Sequence, residues 1–257
     1  MILEAPAERS DDGALDLQDL NFETSKAVSR YDHPSAAAAL GTPGLATALQ
    51  MKDIAAIILA AGRSRRMGKF KPLLPFGNQT VIESCVGNLR SAGVAEIVVV
   101  LGHRADAVRD KLKSASVAFV TNPNPDSEMS TSIELGVDAL TDIVRAVLIT
   151  PVDHPAVQPE TIGFLIEKWR GGAKLIQPDL EGKGGHPVLI DLSYREELKH
   201  LDPDAGLRGF FTKHRAEVLR LPVDSPFVAR DMDTWEDYCA LHEDVFGRKP
   251  EEIADLD

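Results

Sequence analysis

The chain has 257 residues, 44% of them hydrophobic, and a formal net charge of −12. These values suit one globular α/β domain with a full core. They argue against a general nucleic-acid binder, which needs distributed Lys and Arg on the phosphate backbone, and against a partner of anionic membranes; no apolar run approaches the roughly 20 residues that span a bilayer.

Residues 1–50 are acidic at first (Glu4, Glu8, Asp11, Asp12, Asp16, Asp19) and then pass through Ser35-Ala-Ala-Ala-Ala39 and Gly41-Thr-Pro-Gly44. Without sustained apolar periodicity they are expected to form a disordered or loosely docked extension, with a short helix over Leu45–Gln50. A domain over 51–247 and a tail over 248–257 follow. No basic n-region precedes an apolar stretch at the amino terminus. The two cysteines, Cys85 and Cys239, are too few for a disulfide framework or a zinc site. The cytoplasm is the expected compartment, and both thiols are read as small core hydrophobes.

From Ile54 onward strand and helix patterns alternate. Ile54–Ala60 is a buried strand, and Val81–Ser91 is an amphipathic helix stopped by Gly93. Glu96–Gly102 is a strand, Ala105–Lys113 a helix and Val117–Asn122 a strand. Ser130–Leu140 is a helix, Ala146–Asp153 a strand, and Pro159–Arg170 a helix with proline where its missing N–H costs nothing. The later part is less regular. It has strands at Leu175–Pro178, Pro187–Asp191 and Val218–Pro222, a helix over Ala205–Lys213, and a closing helix over Thr234–Phe246 that Asp233 or Thr234 can cap. Such alternation predicts a three-layer α/β/α, Rossmann-like fold with a mostly parallel sheet.

The first strand stops at Gly62, and the loop that leaves it holds five cations, Arg63, Arg65, Arg66, Lys69 and Lys71. Open α/β sheets bind ligands at this carboxyl rim, and the charge calls for a polyanion such as a nucleoside triphosphate. A P-loop is excluded, because five residues separate Gly62 from Gly68 and Phe70 follows Lys69 where a hydroxyl belongs. Gly62-Arg-Ser-Arg does not supply a dinucleotide Gly-x-Gly-x-x-Gly either. Ala60, Ala61 and Gly62 let a base and ribose approach the backbone, while Arg66 and Lys71 can bracket phosphates. Thr150-Pro-Val-Asp153-His-Pro155 falls at the same rim, where Asp153 is a plausible magnesium ligand.

Leu59-Ala-Ala-Gly62, Arg66-Met67-Gly68 and Lys71-Pro-Leu-Leu-Pro75 together resemble the signature of the nucleotidyltransferase superfamily. Within it, the match is best to the molybdenum cofactor cytidylyltransferase (MobA-like) group. The resemblance implies a GT-A-like fold and nucleotide contacts from Leu59, Ala60, Ala61, Gly62, Arg63, Ser64, Arg66, Met67, Gly68 and Lys71. Asn122 is carried over with Asp153, and Ser130, Thr131 and Ser132 sit at the helix start after the third strand, an anion- and hydroxyl-binding position of which Ser130 is taken as the nucleotide contact. Asp231-Met-Asp233-Thr resembles the acidic segment that completes the metal site, so Mg2+ on Asp153, with Asp233 first and Asp231 second, is expected. Gly184-Gly-His186-Pro and Asp204-Ala-Gly-Leu-Arg208 resemble acceptor-binding segments, which makes His186 and Arg208 acceptor candidates. His154 joins them, although relatives carry Met at its place. Lys71, Arg66 and Asp153 are the expected catalytic residues. The implied reaction moves CMP from CTP to the terminal phosphate of molybdopterin with release of pyrophosphate, and a molybdoenzyme undergoing maturation is an implied partner. GTP, a sugar phosphate acceptor, or a non-catalytic cofactor carrier are the alternatives. The remaining histidines (His33, His103, His200, His214, His242) show no metal-ligand spacing and are read as structural.

Overall fold

Ile54-Ala-Ala-Ile-Ile-Leu-Ala60 forms strand β1, and all seven of its residues are buried. Its side chains alternate between two cores. Ile54, Ala56, Ile58 and Ala60 enter one; Ala55, Ile57 and Leu59 enter the other. A strand buried on both faces needs helices on both sides, and each buried Ile or Leu contributes about 2 kcal/mol. The computed structural model describes residues 52–124 and 126–251. The expected extension over 1–50, including the helix over Leu45–Gln50, lies outside the described residues, as do His33 and most of the tail.

After β1, a short hairpin of β2 (Pro75–Phe76) and β3 (Gln79–Thr80) leads into helix α1 (Val81–Ser91). Then come β4 (Glu96–Leu101), α2 (Ala105–Lys111), β5 (Ala118–Thr121), α3 (Met129–Asp138), β6 (Ala146–Pro151) and α4 (Pro159–Arg170). The remainder is β7 (Leu175–Leu180), β8 (Lys183–Gly184), β9 (Val188–Asp191), α5 (Arg195–Lys199), α6 (Gly206–Lys213), β10 (Val218–Pro222) and α7 (Trp235–Phe246). The main sheet runs β10-β7-β9-β6-β1-β4-β5, with β8 paired to β7. Helices α1, α2, α4 and α7 cover one face, and α3, α5 and α6 cover the other. The three-layer expectation holds.

Within the main path one strand is reversed. β9 pairs antiparallel with both β6 and β7, while the other pairs along that path are parallel. The reversal follows from the turn after β7, where β8 folds back on β7 and delivers the chain into β9 without a crossover helix. Gly184-Gly-His186 therefore sits at the carboxyl rim of the sheet. Gly185 is required there, because a Cβ on it would lie 2.3 Å from the Val228 carbonyl oxygen.

Capping fixes two helix starts. Glu83 accepts from the Thr80 N–H (2.7 Å) and hydroxyl (2.8 Å), fixing the start of α1. At α7, Thr234 and Asp237 form the reciprocal cap, with Thr234 Oγ1 accepting from the Asp237 N–H at 3.1 Å. Asp233 is not the cap and is left for other work. Cys85 is buried in the core as expected, whereas Cys239 is only half-buried at its edge. Burial pushes both thiols above the ordinary range.

Candidate active site

β1 and β6 end side by side, with Leu59 opposite Pro151. The loops that carry Gly62 and Asp153 thus leave the sheet at one rim. Next to them, the end of β4 presses against the first loop. A Cβ on Gly102 would lie 2.5 Å from the Ala61 carbonyl oxygen, so only glycine lets the two backbones approach. The loop then folds on itself. Ser64, with φ of 53°, accepts from the Gly68 N–H through its carbonyl (3.2 Å) and from the Lys71 N–H through its hydroxyl (3.1 Å). Lys71 is thereby held at the start of a 3-10 turn with only 8% of its surface exposed.

The buried stem of Lys71 ends between two acids from distant parts of the chain. Its Nζ donates to Asp153 Oδ2 at 3.1 Å and to Asp233 Oδ1 at 2.8 Å. Arg66 donates to the other Asp233 oxygen, Oδ2, at 2.6 Å. The Lys71 hydrogen bond, opposed by partial burial and helped by the Lys71 and Arg66 charges, holds the Asp233 carboxyl below the usual range. Asp153 Oδ1 is buried and has no hydrogen-bond partner. An orphaned carboxylate oxygen beside a second carboxylate suits a hard divalent cation completed by phosphate oxygens and water. Asp231 does not join them. It is exposed, and among the described residues no group of three or more His, Cys, Asp or Glu converges as a metal site. The sequence expectation of Asp231 as a further ligand is corrected on this geometry.

A cavity of about 230 Å³ opens beside this bridge. Its lining includes Leu59, Ala61, Gly62, Ser64, Lys71, Asn122 and Asp153, all of them residues singled out from sequence. Asn122, buried to 2% exposure, donates to Ser127 Oγ (2.9 Å) and Ser132 Oγ (3.0 Å) and accepts from the Asn124 N–H (3.0 Å). This network fixes the start of α3 and brings Ser127 and Ser132 to the lining. Ser130 is a correction. It is buried outside the lining, because α3 begins at Met129 and the helical rotation turns Ser132 toward Asn122. The Ala60 and Met67 side chains pack in the core and do not line this cavity. Gly68 instead shapes the turn with its positive φ of 71°. The basic loop is partly neutralised by the fold. Arg63 and Arg65 share Asp126 Oδ1 at 3.0 and 2.6 Å, and Lys69 lies over the Trp235 ring.

A second cavity, of about 750 Å³, lies between α6 and the strands β7, β9 and β10. Arg208, Arg215 and Arg220 line it, with Phe211 and Leu207 as apolar surface and His186 as well. Arg208 was expected there. Arg215 and Arg220 were not, because a helix end and a β-strand carry no motif around them. Arg220 is braced by Asp179 Oδ2 (2.7 Å) and Gln177 Oε1 (2.8 Å).

His186 stands between this cavity and Asp153. Its ring centroid is 5.1 Å from that of His154, and His154 Nε2 is 3.8 Å from Asp153 Oδ1. Burial lowers the pKa of both histidines, that of His186 to about 4. Both are neutral near pH 7, so the cations facing the second cavity are the arginines. The Nδ1 atoms of both rings are buried and unpartnered. His154 is 8% exposed and outside the cavity lining, so its contact with an acceptor is not supported here.

Comparison with known proteins agrees with the geometry. The chain is 29% identical over 192 residues to nicotine blue oxidoreductase of Paenarthrobacter nicotinovorans, covering 71% of this chain and 93% of that protein. It is 29% identical over 144 residues to the molybdenum cofactor cytidylyltransferase of Escherichia coli, covering 54% and 71% respectively. Among solved structures it matches Rv0371c of Mycobacterium tuberculosis with a TM-score of 0.68 and 28% identity over 75% of this chain and 99% of that one. The same Rv0371c is also known as a manganese complex, with a TM-score of 0.63 and 28% identity over 74% of this chain and 98% of that one. The family model of the MobA-like NTP transferase domain matches residues 56–218, more than half of the chain, and the protein belongs to that family.

Proposed function

We propose that the protein transfers CMP from CTP to the terminal phosphate of the molybdenum cofactor, releasing pyrophosphate. The observation that carries this reading is the convergence of Lys71, Asp153 and Asp233 at the rim of the cleft lined by Leu59, Ala61 and Gly62. An oxygen of the acceptor phosphate attacks the α-phosphorus. A new P–O bond forms as the bond to the bridging oxygen breaks, and that oxygen leaves with pyrophosphate. The acceptor oxygen is already ionised, so no general base is required. Asp153 and Asp233 would hold Mg2+, which supplies charge neutralisation on the phosphate oxygens. Lys71 and Arg66 stabilise charge that builds on the departing phosphates. The Arg208, Arg215 and Arg220 cavity orients the anionic acceptor, with His186 as a neutral neighbour.

The domain over 51–247 carries this chemistry, and residues 1–50 are an appended segment. The unpaired thiols fit a reducing cytoplasm, where a maturing molybdoenzyme is the partner for the product. Among the described residues no helix is long and apolar enough to cross a membrane.

The test is incubation with molybdenum cofactor and each triphosphate, followed by pyrophosphate release and mass analysis. The expected product is the cofactor plus CMP, with CTP and magnesium raising Tm more than GTP does. A GMP adduct would replace cytosine by guanine, turnover of a sugar phosphate would change the acceptor, and cofactor binding without triphosphate consumption would make the protein a carrier. A second reading, an oxidoreductase activity, is favoured by the match along 93% of nicotine blue oxidoreductase. Oxidation of a reduced nicotinamide dinucleotide added in a parallel assay, with no pyrophosphate release in the first, would establish it.

A further inference from the structure

The two acids at the rim are already engaged. Of their four carboxylate oxygens, Lys71 takes one from each residue and Arg66 takes the second oxygen of Asp233. Only Asp153 Oδ1 is free of a partner. Two carboxylates and two cations balance. A bare divalent ion entering here must break these ion pairs and leaves the site with an uncompensated positive charge. A triphosphate alone meets two carboxylates. If both arrive together, the exchange is favourable on each side, because phosphate oxygens take the Lys71 and Arg66 donors and the metal takes the vacated oxygens.

Two further observations support the exchange. Among the described residues no third acidic, histidine or cysteine ligand converges on the pair, so an ion that needs about six oxygens must draw on phosphate and water. The backbone of Lys71 is pinned by Ser64 while its ammonium ends a long flexible stem. The charge can therefore move without the loop moving.

We propose that Lys71 is a built-in placeholder for the divalent cation, one that makes metal and triphosphate binding cooperative. In the free protein its ammonium bridges the metal-ligating acids. When metal and triphosphate enter, it shifts onto the phosphates. This deepens the nucleotidyl-transfer reading and rests on it for the identity of the anion. By linkage, the factor by which triphosphate tightens metal binding equals the factor by which metal tightens triphosphate binding.

The experiment is calorimetric titration of the full chain with Mn2+, alone and with a CTP analogue whose α–β bridge is methylene. The wild type is expected to bind Mn2+ roughly tenfold or more tightly with the analogue present. Lys71→Met, which keeps the apolar stem, is expected to bind bare Mn2+ at least about fivefold more tightly than wild type, with the cooperativity reduced. Arg65→Met removes the same charge from a side chain paired with Asp126, and should leave bare Mn2+ affinity near the wild-type value. The placeholder role is overturned if Lys71→Met gains no more affinity than Arg65→Met. Should Lys71→Met fail to fold, Arg66→Met gives the same comparison with a smaller gain, its side chain being 79% exposed. Failure of both the CTP analogue and its GTP counterpart to bind sinks the nucleotidyl-transfer reading, while the comparison of variants in Mn2+ alone still decides the role of Lys71.

Discussion

Lys71 Nζ lies 2.8 Å from Asp233 Oδ1, although 162 positions separate the two residues in the chain. The first loop and the entry to the last helix thus build one charged centre, with Asp153 as its third member. Asp153→Asn removes a carboxylate but keeps the side-chain shape. We expect the fold to survive and pyrophosphate release to fall on the order of 100-fold or more. Single-turnover assays on the folded variant check this, and near-normal turnover removes Asp153 from the mechanism.

The arginine cavity makes a separable prediction. Arg208→Ala and Arg215→Ala each delete a donor to an anionic acceptor, and charge-assisted hydrogen bonds of this kind are worth about 1.5–3 kcal/mol. The acceptor KM should rise roughly tenfold or more, with the triphosphate KM nearly unchanged. A rise in the triphosphate KM instead would assign this cavity to the nucleotide.

Gly102→Ala should couple stability to binding. The added methyl would sit 2.5 Å from the Ala61 oxygen and 3.0 Å from its Cα, and backbone cannot yield as a side-chain tip can. A loss of about 1–3 kcal/mol in denaturant unfolding is expected, together with weaker triphosphate binding as Ala61 and Gly62 are displaced. Unaltered binding in the destabilised variant would show that the loop tolerates the shift.

His214 gives a pH signature apart from the Lys71 centre, next to the arginine cavity. Its Nδ1 lies 3.0 Å from Glu217 Oε1 and its Nε2 2.9 Å from Glu197 Oε2, and these hydrogen bonds raise its pKa above the ordinary value. A raised folded-state pKa means that the stabilisation is fully present below the unfolded value of about 6.5 and is lost as pH rises through the folded value. His214→Gln should therefore cost more stability at about pH 6 than at about pH 9 in urea titrations. An equal loss at both would leave His214 as a packing residue only.

Much of this was legible in the sequence, for physical reasons. The uninterrupted apolar run Ile54–Ala60 has to be buried on both faces, and its abrupt end at Gly62 marks the rim. The helices Val81–Ser91 and Pro159–Arg170 have the observed limits because capping and proline chemistry at their starts are local. The direction of β9 was not legible, because apolar patterning carries no sense of chain direction. Ser130 and Ser132 both sit in the first turn of α3, and only the Asn122 side chain, brought there by the loop, selects Ser132. Asp233 and Thr234 are both good caps on paper, and the reciprocal Thr234–Asp237 cap together with the Lys71 ammonium, brought close by tertiary packing, separates their roles.

The segment after β10 carries an outsized share of the molecule. It supplies the Val228 carbonyl that receives the His186 N–H at 2.8 Å, the fully buried Tyr238 and Asp233, yet the family match ends at residue 218. A fragment trimmed to that boundary would retain the glycine loop. It would be missing half of its acid pair, and a wall of its interior would stand open to water.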